Sequence, residues 1–136
     1  ISNELTPEAG YKKFIVDLLQ NNNHIVLIYP IPEIGFDVPK KIFFSNKKDV
    51  TISSDNYKKY SKSTFELLDS IKGNNIYKVY PDKIFCNTLI KDACITHDNQ
   101  DIFYTDDQHV SIKAAELINN LIIKEIEKIE KEENSP

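Results

Sequence analysis

The sequence predicts an α/β sandwich built around a parallel sheet. Segments with helical and strand character follow one another in the order helix, strand, helix, strand, strand, helix. Residues 25–29 are an almost uninterrupted apolar and β-branched run, which is typical of a strand buried on both faces of a parallel sheet. A chain of 136 residues is also of the size of one domain with one core.

The first two helices are predicted from their ends and their apolar spacing. Residues 6–22 form a helix that starts with Thr6 followed by a proline, a residue favoured in the first helical turn. Residues 56–72 form a second helix with an imperfect apolar face that includes Tyr60, and Gly73 is placed to cap its end.

The second half of the chain supplies two more strands and a long helix. Residues 76–80 alternate in polarity between turn-forming pairs, and residues 101–104 form a short strand candidate. Ser111 caps a long helix with apolar side chains every three or four positions. Its charged part, residues 124–133, is expected to be a solvated helix end that leads into a tail.

A proline-rich segment and an acidic turn are expected at the same edge of the sheet. Residues 30–39 hold three of the six prolines and indicate an ordered loop that leaves a strand end. Residues 106–109 follow the last strand candidate. Ligands of open α/β sheets bind at the carboxyl ends of the strands, where both segments fall. The lysine-rich residues 40–55 carry no clear pattern.

Composition excludes some classes of protein. All 17 basic residues are lysine and the net charge is −4, so we expect no nucleic-acid partner, because arginine forks and a basic face are the usual means of gripping phosphates. No apolar run is long enough to cross a bilayer. The chain has no methionine and begins with Ile1, which leads us to expect that it is cut from something longer.

The spacing Asp106-x-x-His109 is the main candidate for chemistry. A histidine can take a proton from a hydroxyl group near neutral pH, and an aspartate that accepts from its Nδ1–H orients it, as in the base half of a serine-hydrolase triad. The alternative is an acidic loop at a helix start with a surface histidine, since acids are common there.

Other chemistries have weaker support in the sequence. A metal site formed by Asp101, Asp106, Asp107 and His109 is conceivable, but His24 and His97 stand alone and we expect neither a metal nor a cofactor. No serine lies in a glycine-flanked turn between a strand and a helix, where nucleophilic serines are exposed. The two cysteines could form one disulfide, remain reduced, or serve as nucleophiles.

Three segments, taken in order, resemble one family. Residues 29–39, residues 79–81 leading to the two cysteines, and residues 104–111 are similar to the C-terminal SGNH-hydrolase-like domain of bacterial membrane acyltransferases that O-acetylate cell-surface polysaccharide. The resemblance covers residues 11–123. It implies a flavodoxin-like three-layer α/β/α fold with a parallel sheet, an extracytoplasmic location, and an upstream membrane acyltransferase domain in the same protein.

The resemblance also implies roles for four residues. Asp106 would orient His109, His109 would be the general base for a serine that passes on the acetyl group to a polysaccharide acceptor, and Cys86 and Cys94 would form a disulfide. The Gly-Asp-Ser block that supplies the serine would precede Tyr11 and is missing. We therefore expect the C-terminal part of such a domain, inactive by itself; a non-catalytic carbohydrate-binding or interaction module with the same fold is the alternative.

This resemblance divides the chain into three parts. Residues 1–10 would be an upstream connector, residues 11–123 the C-terminal part of the SGNH-like domain, and residues 124–136 the charged helix end and tail. If the first strands of the sheet are missing, strand 25–29 becomes an exposed edge that can pair with a second copy. Self-association is therefore expected, and light scattering that shows a monomer at all concentrations would count against it.

Overall fold

The computed structural model describes residues 5–46 and 48–136. Helices and strands alternate along the chain, in agreement with the α/β prediction. The elements are α1 (Pro7–Gln20), β1 (Ile25–Ile28), α2 (Val38–Phe44), β2 (Thr51–Ser53), α3 (Ser54–Asp69), β3 (Ile76–Val79), α4 (Asp82–Phe85), β4 (Ala93–Ile95) and α5 (Ile112–Glu133).

The central layer is a parallel pair of strands, β1 and β3, in which Leu27 faces Lys78 and Ile28 faces Val79. One face of this pair packs against α1 and α3, where Leu27 and Tyr29 join a buried cluster with apolar side chains of both helices. Successive strand residues point to opposite faces, so Tyr77 lies on the other face, where its hydroxyl group donates to Glu132 of α5. The described residues therefore form three layers, as the α/β/α prediction requires.

A second, antiparallel pair of strands lies beside α3 and α4. Strands β2 and β4 pair with Ile52 opposite Cys94. A second buried cluster joins the proline-rich loop, α4, β4 and the start of α5. Its fully buried members include Phe85 and Val38. This cluster lies directly beneath the segment that contains Asp106 and His109, because Phe103 and Tyr104 belong to it as well.

Several sequence predictions differ from the structure in detail. The strand predicted for residues 101–104 is wrong: Phe103 and Tyr104 are buried, but this segment makes only isolated bridges, between His97 and Ile102 and between Tyr104 and Val110. The aromatic side chains of Phe103 and Tyr104 reflect burial, which strands and buried loops share, whereas Ile102 is 40% exposed.

Strand β1 and Gly73 also depart from expectation. Leu27 is 2% exposed but Ile28 is 47% exposed, so β1 is not buried along both faces. Helix α3 ends at Asp69, before Gly73. A side chain at Gly73 would lie 3.1 Å from the Cδ1 atom of Leu19, so this glycine allows α1 to approach closely instead of capping a helix.

The described part of each strand pair leaves edges without a partner. The order of the parallel sheet is β1-β3, so β1 has one strand neighbour among residues 5–46 and 48–136. Self-association through this edge stays a prediction. None of the described helices is both long enough and apolar enough to span a membrane.

Cys86 and Cys94 form a disulfide, as the resemblance implied. The bond joins the end of α4 to the middle of β4. Cys94 is fully buried. The crosslink therefore attaches α4 and its buried Phe85 to the second strand pair.

Replacing both cysteines by serine is expected to destabilise the domain. Because the crosslink closes a short loop, the chain-entropy model gives a loss on the order of 2–3 kcal/mol in the free energy of unfolding. The measurement is urea unfolding, and reduction of the wild-type protein is the control and should lower the midpoint to the same extent. A thiol assay shows whether both cysteines are reduced. The prediction would be contradicted if the reduced protein unfolds at the same urea midpoint as the oxidised protein.

Candidate functional site

Asp106 organises the turn that leads into α5. Its Oδ1 atom accepts hydrogen bonds from the main-chain N–H groups of Gln108 (2.8 Å) and His109 (2.7 Å), which closes the turn. Its Oδ2 atom lies 2.7 Å from Nδ1 of His109. One carboxylate thus holds both the main chain and the imidazole ring, and the short Asp-x-x-His spacing is what allows it to do so.

The ends of this turn are anchored in the core. The N–H group of Thr105 donates to the carbonyl of His109 at 2.8 Å, and that of Ser111 donates to Phe103 at 2.8 Å. The Ser111 hydroxyl then accepts from the N–H of Ala114 and caps α5, as the sequence predicted. Since Phe103 and Ala114 are buried, both sides of the turn are held by packed residues.

The proline-rich loop is bonded directly to this turn. The carbonyl of Asp107 accepts from the N–H groups of Ile34 (3.0 Å) and Gly35 (3.4 Å). Buried Tyr104 donates its hydroxyl hydrogen to the carbonyl of Pro32 at 2.8 Å. Gly35 has φ +78°, a conformation that favours glycine. The prediction that the two segments lie at the same edge is confirmed, at the carboxyl end of β1.

The electrostatics of the pair place the proton on Nδ1. The two main-chain N–H groups and the imidazole lower the pKa of Asp106 to about 2, so the carboxylate is ionised at neutral pH and can only accept. Nδ1 of His109 therefore donates to it. The hydrogen bond from the ring to Asp106, strengthened by the carboxylate charge, raises the pKa of His109.

This tautomer directs the lone pair of Nε2 away from Asp106. The His109 side chain is 78% exposed, and Nε2 has no hydrogen-bond partner among residues 5–46 and 48–136. A neutral imidazole whose Nδ1–H is held by a carboxylate can accept a proton at Nε2, and the same carboxylate stabilises the imidazolium that results. The arrangement is thus chemically able to act as a general base.

The structure identifies no partner nucleophile for His109 in the part of the chain that it describes. Most of the described serines serve the main chain instead. Their hydroxyl groups bond to main-chain atoms at Ser45, Ser53, Ser61, Ser70, Ser111 and Ser135. Ser2 lies outside the described residues, and both cysteines are in the disulfide.

The other two histidines are held in structural contacts. Nε2 of His97 accepts from the N–H of Val50 at 3.2 Å, and Nδ1 lies 3.1 Å from the carbonyl of Asp98. His24 lies before the amino end of β1, between the hydroxyl of Tyr77 and the carboxylate of Glu133. No group of three His, Cys, Asp or Glu side chains in the described chain could hold a metal ion.

A cleft of about 480 Å³ lies between the proline-rich loop and α3. The loop contributes Ile34 and Gly35, the residues whose N–H groups bond to Asp107, so the cleft and the turn share a wall. Asp106 and His109 are not part of its lining. A cleft of this size is typical of sites for small ligands.

The helical side of the cleft is a mixed aromatic and polar stripe. Its members are Asn56, Tyr57, Tyr60, Ser61 and Thr64. The last four are spaced three and four residues apart and so lie on one face of α3. Tyr57 is buried and donates to the carbonyl of Pro30, whereas Tyr60 is 82% exposed. The sequence analysis placed Tyr60 on the apolar face of this helix, and that prediction is wrong. The polar residues Asn56 and Thr64, four positions before and after Tyr60, indicate a solvent-exposed face.

The layered fold and the Asp-x-x-His turn at its sheet edge together define an SGNH-hydrolase-like α/β domain. The model of a family described as "SGNH domain (fused to AT3 domains)" matches residues 2–124. The chain belongs to this family, and the resemblance stated from its motifs is confirmed. No curated protein and no solved structure matches the chain.

Proposed function

We propose that this chain carries the base and orienting residues of an extracytoplasmic SGNH-type O-acyltransferase or esterase. His109 is the general base and Asp106 is the residue that orients it. The observation that carries the proposal is the 2.7 Å contact between Nδ1 of His109 and Oδ2 of Asp106, with Nε2 exposed. The nucleophilic serine lies outside the described residues.

The proposed reaction is a double displacement. Nε2 of His109 takes the proton of the serine hydroxyl while the serine oxygen bonds to the acyl carbonyl carbon. The tetrahedral intermediate collapses when the bond to the donor oxygen breaks, and His109 returns its proton to that leaving oxygen. An acceptor hydroxyl group, deprotonated by His109, then attacks the acyl-serine, and the serine leaves with the proton. Throughout, Asp106 stabilises the imidazolium.

The family supports an acyltransferase-associated domain, and the finer assignments are part of the proposal. In this proposal the acyl group is acetyl and the acceptor is a cell-surface polysaccharide. An upstream membrane domain of the same protein supplies the acyl group. Support for the extracytoplasmic location comes from the Cys86–Cys94 disulfide, since such bonds persist mainly in oxidising compartments. The boundaries after residues 10 and 123 are also proposals.

The experiment that tests the proposal is an assay of ester hydrolysis and acetyl transfer by the natural full-length protein. We expect activity that requires His109 and Asp106. Residues 1–136 alone are expected to be inactive, because no described serine bonds to Nε2 of His109 and a base without a nucleophile has nothing to activate. Full-length activity that is insensitive to His109 would refute the assignment.

The cleft beside the turn is the proposed site of the acceptor. The exposed ring of Tyr60 offers an apolar face to the C–H groups of a sugar ring, and Asn56, Thr64 and Glu33 offer polar groups to its hydroxyls. The shared wall formed by Ile34 and Gly35 would bring a bound polymer toward His109.

Replacing Tyr60 with alanine is expected to raise the KM for the polysaccharide acceptor about tenfold, the usual effect of losing one aromatic contact. Hydrolysis of a small ester such as p-nitrophenyl acetate should be unchanged, because Tyr60 does not contact His109. Tyr60→Phe is the matched control, since it keeps the ring. Equal acceptor KM values for wild type and Tyr60→Ala would place the acceptor elsewhere.

The second candidate is a non-catalytic carbohydrate-binding module. It is favoured by the separation of the cleft from His109 and by the absence of a described serine that bonds to Nε2. In that case the polysaccharide would bind through Tyr60, but the full-length protein would transfer no acyl group. The sequence of the natural full-length protein discriminates between the two: a Gly-Asp-Ser block after a strand favours the enzyme.

A further inference from the structure

A group of aromatic and basic side chains is exposed on α2 and on the residues that follow it. We call it the α2 patch, and it consists of Lys40, Lys41, Phe43, Phe44 and Lys48. The two phenylalanines are 79% and 70% exposed, and their rings contact each other edge to face with centroids 5.2 Å apart. Two neighbouring exposed phenylalanines are unusual on a domain that has a buried core.

The exposure of these rings follows from how α2 is fixed. Val38 is fully buried, Ile42 packs on the same cluster, and these two residues are one helical turn apart. Asp37 caps the helix by accepting from the N–H of Lys40 at 2.9 Å. Because the inner face of α2 is held by Val38 and Ile42, Phe43 and Phe44 at its end project outward from an anchored helix.

The charge of the patch is opposite to that of the chain. Lys40, Lys41 and Lys48 are exposed, and none forms an ion pair with an acidic residue of the described chain. The sequence places no acidic residue between positions 38 and 48 and adds Lys47, which lies outside the described residues. The chain as a whole has a net charge of −4. The α2 patch is thus a local basic surface on an acidic domain.

From this combination we infer that the α2 patch rests on an anionic lipid surface. Aromatic rings next to lysines suit the headgroup layer, because the rings enter the boundary of the acyl chains while the ammonium groups meet lipid phosphates. A symmetric contact with the α2 patch of a second copy is disfavoured, since it would bring lysines against lysines. An acidic protein surface would satisfy the lysines without requiring two exposed rings.

This contact would orient the domain relative to a membrane, and it does not depend on the proposed catalytic role. The test is co-sedimentation of the 136-residue chain with vesicles of phosphatidylcholine mixed with phosphatidylglycerol, and with phosphatidylcholine alone. We expect binding to the mixed vesicles that weakens as salt is added, and little binding to the neutral ones, because lysine–phosphate attraction is screened.

Two pairs of substitutions separate the aromatic and basic contributions. Phe43→Ser with Phe44→Ser should weaken partitioning about tenfold or more, because their apolar surface no longer leaves water. The matched control is Leu89→Ser, which replaces an apolar side chain that is 70% exposed elsewhere. The double variant Lys40→Gln, Lys48→Gln should weaken partitioning about 30-fold relative to the wild type. Its control is the double variant Lys58→Gln, Lys62→Gln on α3, which removes the same charge.

Three outcomes would overturn the inference. The first is absence of binding to the anionic vesicles. The second is equal loss in the α2 variants and in their controls, which would indicate a general charge effect. The third is a dimer detected by light scattering that disappears in the Phe43→Ser, Phe44→Ser variant while vesicle binding persists, which would assign the rings to a contact between copies. Loss confined to the α2 variants, which remain folded by circular dichroism, supports it.

Discussion

Replacing His109 with alanine is expected to reduce acyl transfer by the natural full-length protein by a factor on the order of 10⁴ or more, the usual consequence of losing the base of a triad. Without Nε2, nothing in the turn can take the proton of a serine or return it to the leaving oxygen. The folded structure should be unaffected, because the His109 side chain is 78% exposed and, among residues 5–46 and 48–136, bonds only to Asp106.

The matched control for this variant is His24→Ala. His24 lies before the amino end of β1, whereas the Asp106–His109 turn is bonded to the loop that follows its carboxyl end. Activity should therefore survive the loss of His24. The measurement is the rate of acetyl transfer and of p-nitrophenyl acetate hydrolysis, with binding of polysaccharide as a separate readout. If His109→Ala and wild type transfer acetyl at equal rates, His109 is not the base.

Helix starts were well predicted because the signals for them are local. The Thr6 hydroxyl accepts from Ala9 and that of Ser111 accepts from Ala114, so each cap involves residues three positions apart. Helix α2 was missed although Asp37 and Pro39 carry the same kind of signal. Its lysines obscured the two apolar positions, Val38 and Ile42, on which its packing depends.

The strands were predicted less evenly, because sequence patterns report burial more directly than pairing. Residues 25–29 and 76–80 were recognised, and they form the parallel pair. Strand β2 has only three residues, which is too short for a periodic pattern, and it leads directly into α3. Residues 101–104 show the converse: their buried aromatic side chains suggested a strand that the main chain does not form.

Only the part of the candidate site that is formed by residues close in sequence could be predicted. The contact between Asp106 and His109 joins residues three apart, so spacing was sufficient to indicate it. The hydrogen bonds from Ile34 and Gly35 to Asp107 join main-chain atoms about 70 residues apart. Main-chain N–H and C=O groups are the same in almost every residue, so such contacts cannot be predicted from residue types. Ile34 and Gly35, which these bonds hold in place, form one wall of the cleft beside α3, and the sequence therefore did not reveal the cleft.

The substitution Asp106→Asn is expected to lower acyl transfer by about 10³- to 10⁴-fold while leaving the turn intact. The asparagine Oδ1 atom can still accept from the N–H groups of Gln108 and His109. Its amide group, however, presents a donor to Nδ1, so Nδ1 becomes the acceptor and the proton moves to Nε2. A ring with its proton on Nε2 cannot accept another from serine.

The pH dependence distinguishes this mechanism from a general loss of stability. Protonated His109 cannot act as a base, so the wild-type rate should rise with pH through the pKa of His109, which its bond to Asp106 raises above 6.5. In the Asp106→Asn variant that pKa should fall, which NMR titration of the His109 ring protons measures directly. Asp107→Asn is the matched control, because it removes an adjacent carboxylate whose effect on His109 is the smallest of the contributing causes. An Asp106→Asn variant that stays active, with an unchanged His109 titration, would show that Asp106 does not orient the base.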